Sequence, residues 1–289
     1  MNGTVVGIDI GATLAKLAIR EPHGKVDCFF LPAAHLDQVV AQVDALAPRG
    51  VGLTGCGANA LASRLSQRLQ RLVEFQAWAH GSRELLRTQG RDEEAPYALV
   101  SLGTGTSVLL VDGQQVERLG GTALGGGTLL GLGFALTGCQ THQEFCALAQ
   151  RGRRDQVDLL VGDIYPPDEI EIPGEATAAA FGRLARQTAQ MRASDGQGAD
   201  QSADLAAAVT HLVGENVALI ATSLTQRSVA QRIVFGGASL GDNPGLRAVL
   251  MGVTAAMGFE PILLDDGGYA GAIGALRHAE SEQAAEPAN

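Results

Sequence analysis

Residues 98–133 read ALVSLGTGTSVLLVDGQQVERLGGTALGGGTLLGLG, and the fold follows from this stretch. The apolar run Ala98–Leu102 breaks into Gly103-Thr104-Gly105-Thr106, and a second β-rich run, Ser107–Val111, follows at once. That pattern predicts a strand, a tight glycine turn and a second strand. Asp112-Gly113 turns the chain again, and Arg118 opens a segment with seven glycines in sixteen residues. Glycine lets the backbone approach a ligand closely, and successive N–H groups in such turns can converge on an anion. Hydroxyls at Thr104, Thr106, Ser107, Thr122 and Thr128 are interleaved, and one cation, Arg118, stands at the entrance. The segment reads as a device for holding phosphate. Two other readings are open. Glycines such as Gly131 and Gly133 also suit a helix packed tightly on a sheet, which leaves the hydroxyls unexplained. The uncharged stretch between Arg118 and His142 is long enough to span a bilayer. Its first half, however, is Gly and Thr instead of dense apolar sequence.

The N-terminus repeats the pattern. Val5–Ile19 (VVGIDIGATLAKLAI) is again strand, glycine turn, strand, with Asp9 ending the first strand and Lys16 just past the turn. Ile10-Gly11-Ala12-Thr13 resembles Leu102-Gly103-Thr104-Gly105-Thr106, about 92 residues later. A repeat on that scale predicts two related domains offering phosphate-facing turns to one cleft. The charged connector RDEEAP, residues 91–96, divides them into 1–96 and 97–289. In this reading Gly11, Ala12, Thr13 and Leu14 face a nucleotide's phosphates from one side. Gly103, Thr104, Gly105 and Thr106 face them from the other, with Gly125, Gly126 and Gly127 close by. Asp9 suits Mg²⁺, which chooses oxygen ligands, or else simply caps its turn. Lys16 meets phosphate as a point charge. Glu74 lies where a strand runs into a helix, so it is either a carboxylate aimed into the cleft or a helix-start acid. Gly236, Gly237 and Ser239, after a strand at Arg232–Phe235, read as the nucleoside end of the site.

The remaining periodicity predicts helices over 36–46, 58–70, 140–151, 155–161, 177–191 and 204–224, and one beyond Gly267. Strands are predicted at 51–55 and 261–264, a polar surface loop at 194–202, and a disordered tail from about Glu280. The net charge of −10 argues against nucleic acid or an acidic membrane as partner. Any anionic ligand must then be held by local dipoles, a few cations and metal. Cys139, His142 and Cys146 offer three zinc ligands with no fourth nearby, and buried thiols are the other reading. The start MNGTVVGIDI lacks the basic region and long apolar stretch of a signal peptide, so a cytoplasmic protein is expected.

In sequence order, DIGATLAK, SLGTGTS, RLGGTALGGGTLLGLG, FGGAS and DGGYAGAIGAL resemble the type II (eukaryotic-like) pantothenate kinases. These belong to the actin/hexokinase/heat-shock ATPase superfamily, and the resemblance spans roughly Val5 to Leu276. It implies an α/β fold of two ribonuclease-H-like, actin-like ATPase domains around a nucleotide cleft. It also implies a homodimer, and ATP- and Mg-dependent phosphorylation of pantothenate, the first step to coenzyme A. On the matching positions, Glu74 is implied as the base and Arg118 as the substrate-side cation. Thr104 and Ser107 are implied as hydroxyls near pantothenate, and Asp9 with Lys16 as the first phosphate hairpin. Three positions depart from the pattern. Ala12 replaces the usual second glycine, Ala180 stands where bacterial relatives have TAxNFG, and the region near Val253 lacks an aromatic residue. The alternatives are a kinase of the same superfamily acting on pantetheine or a sugar, and a non-catalytic ATP-binding switch. The CxCGxxGC zinc motif that many repressor-type sugar kinases resemble is absent.

Overall fold

In the computed structural model, which describes residues 3–21, 24–92, 94–167, 169–191 and 201–284, both expected hairpins form. β1 (Val5–Ile10) pairs antiparallel with β2 (Leu14–Arg20), placing Asp9 opposite Lys16. β3 (Val26–Pro32) extends that ribbon, α1 (Leu36–Leu46) follows, and β4 (Gly50–Thr54) returns parallel to β1. After α2 (Ala58–Ala62), β5 (Leu69–Arg71) adds parallel to β4, and α3 (Glu74–Thr88) leads out of the sheet.

The second half repeats this plan. β6 (Tyr97–Leu102), β7 (Thr106–Asp112) and β8 (Gln115–Thr122) form an antiparallel meander. α4 (Gly126–Thr137), α5 (His142–Ala149), the short pair β9 (Leu159–Leu160) and β10 (Thr177–Ala179), α6 (Gly182–Met191) and α7 (Ser202–Thr225) intervene. β11 (Arg232–Gly236) then lies parallel to β6, and β12 (Glu260–Leu263) parallel to β11, with α8 (Pro244–Ala256) between them. Among the described residues the two sheets run β3-β2-β1-β4-β5 and β8-β7-β6-β11-β12. Strand directions match position by position. The expected pair of related α/β domains is present.

Each sheet buries its own apolar face. Val6, Ile8, Leu17 and Leu53 pack with Val39 and Val43 of α1, which repeat at helical spacing. In the second domain Val209, Val213 and Val217 of α7 pack on Val100, Val108 and Phe235. α7 is long and apolar enough to cross a membrane, yet 61% of its most apolar window is buried inside the protein. α4, which carries much of the uncharged stretch, has 12 residues, too few to span a bilayer.

The final helix, α9 (Ala270–Ala284), departs from the expected division at residue 96. It lies on the first sheet and against α3, filling the space between the two sheets with Ala272, Ile273 and Leu276. Gly7 of β1 and Gly52 of β4 are why it fits: a side chain on either would run into the carbonyls of Ala272 or Ala275. By packing, residues 270–284 belong with the first domain. They also correct the expected disorder from Glu280, because the helix continues to Ala284 and Glu280 pairs with Arg20 and Arg277.

Other elements differ from expectation where tertiary pairing outweighs helix propensity. The helix expected to reach Gln70 stops at Ala62, because Leu69–Arg71 pairs with β4. Residues 155–161 form a single 3₁₀ turn and then β9, which pairs with β10. The helix expected from Thr177 begins only at Gly182, after Phe181 takes a positive φ of 59°. Its N–H donates to the buried Asp158 carboxylate at 2.9 Å, which holds that turn. Most of the polar loop expected at 194–202 lies outside the described residues.

Candidate active site

The two hairpin turns meet. Thr13 Oγ1 lies 3.3 Å from Thr104 Oγ1, and beneath this contact opens a cleft of about 810 Å³. The first turn is closed by the Gly11 N–H donating to Leu14 O at 2.9 Å. Ala12 is exposed and has no positive φ, so its methyl sits in this turn without backbone strain. The place usually held by glycine does not need one here.

Asp9 is next to last in β1, at 2% exposure, with Lys16 Nζ 3.1 Å from its Oδ2. The first turn of α9 also faces this carboxylate, since a methyl on Gly271 would come within 2.6 Å of Asp9 Oδ2. The helix N-terminus and the lysine both favour negative charge at that point. Glu74 opens α3 and lines the same cleft. Withdrawal from water raises its pKa above the ordinary carboxylate value; the negative charge of Asp9 adds to that rise, and Lys16 opposes it. The three charges thus share one neighbourhood. Val73, the residue capping α3, makes no side-chain capping bond, so the helix start is not organised around a local cap.

Arg118 enters from the other domain. Leu109 pairs with Arg118 and Val108 with Gly120, so Leu119 is an extra residue, a bulge in β8. Bulges re-aim side chains, and here Arg118 lines the cleft. Among the described residues its guanidinium has no hydrogen-bond or ion-pair partner. Gly103, Thr104, Gly105, Thr106 and Ser107 lie along the same wall, and Gly237 and Ser239 line the far end after β11.

The glycine stretch works differently from expectation. The Gly126 N–H donates to Gly103 O at 2.8 Å and the Gly127 N–H to Thr104 O at 2.9 Å. These amides dock α4 onto the second hairpin and are not available to an anion, although both glycines line the cleft. Gly125 and Gly236 do not line it. Gly125 packs on Gly105, and Gly236 abuts the Trp78 ring at Cζ3. Cys56, Trp78 and Ser101 line the cleft without having been singled out from sequence. Trp78 is one helical turn beyond Glu74, and Cys56 and Ser101 lie near the carboxyl ends of β4 and β6, where ligand-facing residues collect. Ala180 and Val253 do not contribute to the cleft lining. Cys146 Sγ lies 3.4 Å from His142 Nε2, and burial first, then the charge of Asp242, pushes the thiol pKa up to about 11. Among the described residues no three His, Cys, Asp or Glu side chains are grouped to hold a metal ion.

Asp9 alone is therefore no metal cage. A single carboxylate with phosphate oxygens and water does fit magnesium, which keeps several waters and is held by one or two carboxylates.

Residues 53–278 match the family model described as Fumble. The type II pantothenate kinase of Staphylococcus haemolyticus is 35% identical over 272 residues, covering 94% of this chain and 98% of that protein. The type II pantothenate kinase of Staphylococcus aureus (strain USA300) gives the same identity and coverage. Among solved structures, component A of the Acidaminococcus fermentans (R)-2-hydroxyglutaryl-CoA dehydratase superposes with a TM-score of 0.63 at 16% identity, covering 98% of this chain and 99% of that one. A ROK family glucokinase from Streptomyces griseus, in complex with glucose and AMPPNP, gives 0.60 at 13% identity, covering 96% and 100%. At such identities these two show the shared two-domain fold. With its model match and its relatives at 35% identity, the chain belongs to the Fumble family, that of the type II pantothenate kinases.

Proposed function

We propose that the cleft transfers the terminal phosphoryl group of ATP to the primary hydroxyl of pantothenate, giving 4′-phosphopantothenate for coenzyme A synthesis. The observation that carries the chemistry is the convergence of Glu74, Asp9 and Lys16 under the Thr13–Thr104 contact, with Arg118 facing them. Glu74 accepts the proton of the attacking hydroxyl. A carboxylate is a weak base, but in a loose transition state the proton leaves late, so orientation matters more than basicity. Its raised pKa also makes it a somewhat better acceptor. Arg118, which has no protein partner among the described residues, clamps the pantothenate carboxylate in a two-pronged contact. Lys16 offsets charge on the phosphates, and the hydroxyls of Thr104 and Ser107 orient the substrate. Asp9 would hold Mg²⁺ directly or through water, and the ion would supply charge neutralisation at the phosphates.

The same reading includes a homodimer in the cytoplasm, with no nucleic-acid or membrane partner. Exposed Leu132 and Leu136 of α4 and Leu219 of α7 support the dimer. Light scattering should show twice 29.8 kDa, and a stable 29.8 kDa species at micromolar concentration would exclude it. The activity is tested by ADP release with pantothenate, pantetheine and hexoses side by side. Pantothenate should dominate. Preference for another acceptor would make this a kinase of different specificity, and acceptor-independent nucleotide binding alone would indicate a switch protein.

A further inference from the structure

Trp78 is the chain's single tryptophan. It lies on α3 four residues after Glu74, hence on the same helix face. Its side chain is 3% exposed, yet it lines the cleft. Two glycines locate its edges. A methyl on Gly271 would stand 3.1 Å from Trp78 Nε1 and 2.6 Å from Asp9 Oδ2. A methyl on Gly236 would stand 3.1 Å from Trp78 Cζ3. The indole thus reaches from the Asp9 carboxylate in the first domain to the end of β11 in the second. Its Nε1 edge is the one that shares the Gly271 neighbourhood with Asp9.

Among the described residues that N–H has no hydrogen-bond acceptor, nor is it one of the nitrogens sealed from solvent. A buried tryptophan usually finds a partner for this group. Here the space beside it is the cleft, next to the residues that handle phosphate.

Building on the kinase reading above, we propose that Trp78 is a further ligand-contacting residue. Its indole N–H donates to a terminal phosphate oxygen of the nucleotide bound beside Asp9, and its ring fixes the Glu74 turn of α3 against the second domain. The contact aligns the transferring group more than it contributes to overall nucleotide affinity. A uniformly stabilising contact would change KM alone, whereas an aligning one acts on kcat.

The wild-type protein supplies its own probe, because all tryptophan emission comes from Trp78. Titration with AMPPNP and magnesium, followed in parallel by calorimetry, should change that emission over the same concentration range in which heat reports binding. Trp78→Phe keeps an aromatic ring and removes the N–H. It should lower kcat by about ten- to a hundredfold, the factor carried by a hydrogen bond to a charged group, while the KM for ATP changes less than threefold. Calorimetric binding with no change in emission, or wild-type kcat in Trp78→Phe, would overturn the proposal. Absence of any calorimetric binding would instead overturn the kinase reading on which it rests.

Discussion

The hydroxyls of Thr13 and Thr104 lie 3.3 Å apart although 91 residues separate them in sequence. Each is in the turn of a strand-turn-strand unit, and the two units occupy equivalent places in sheets of the same strand order. The cleft is thus closed at its roof by two copies of one motif. Thr13→Val and Thr104→Val should each raise the KM for ATP by about three- to tenfold, the range for a lost hydrogen bond. Because the hydroxyls touch, the double variant should lose less than the product of the two factors. Multiplicative losses would mean that the two turns act independently.

Asp9→Asn keeps the side chain's shape and removes the charge that Lys16 faces at 3.1 Å. Turnover should fall by at least about a hundredfold and need more magnesium for half-maximal rate. Circular dichroism should show the native fold. An unchanged magnesium titration would remove Asp9 from the metal side of the site.

Glu74 links activity to stability through pH. Its folded pKa is raised, so ionising it costs the native state free energy. That cost is absent below the unfolded value, near pH 4, and is complete once pH passes the folded value. Glu74→Gln should therefore be the more stable protein at pH 7, with the difference vanishing as pH approaches 4. Thermal melts of both proteins across pH 4–8 check the sign. In the wild type the acid limb of kcat/KM should lie above the ordinary carboxylate range, and the variant should lose it.

Gly7 and Gly52 let α9 lie directly on the first sheet. Gly7→Ala adds a methyl where the Ala272 carbonyl already stands, and overpacking of this kind costs about 1–3 kcal/mol or more. Tm should fall by roughly 5–10 °C. A melt within about 1 °C of wild type would show that α9 shifts freely.

The fold was legible because both hairpins announce themselves locally: apolar runs broken by Gly-Thr turns leave little choice of structure. The sites of Asp9, Lys16, Glu74 and Arg118 follow from strand ends and turns, which sequence spacing marks. What stayed hidden was non-local. Nothing in residues 270–284 shows that α9 returns to the first sheet; the clue is two small residues, Gly7 and Gly52, more than 200 positions away. The amides of Gly126 and Gly127 read as an anion nest, but they bond to the carbonyls of Gly103 and Thr104, which a sequence cannot show as facing them. Trp78 is buried like a core residue, and its proposed role follows only from the edge that opens on the cleft.

In the proposed mechanism Glu74 activates the pantothenate hydroxyl toward ATP in this cleft. Phosphorus NMR of the protein with Mg-ATP and pantothenate tests it most directly, run for the wild type and for Glu74→Gln at matched nucleotide occupancy. The wild type should convert the γ-phosphate signal into that of a phosphomonoester of pantothenate, with equal ADP formed. Glu74→Gln should do so about 10² to 10⁴ times more slowly while still binding nucleotide. Equal rates in the two proteins, or ADP formed without a pantothenate phosphomonoester, would contradict it.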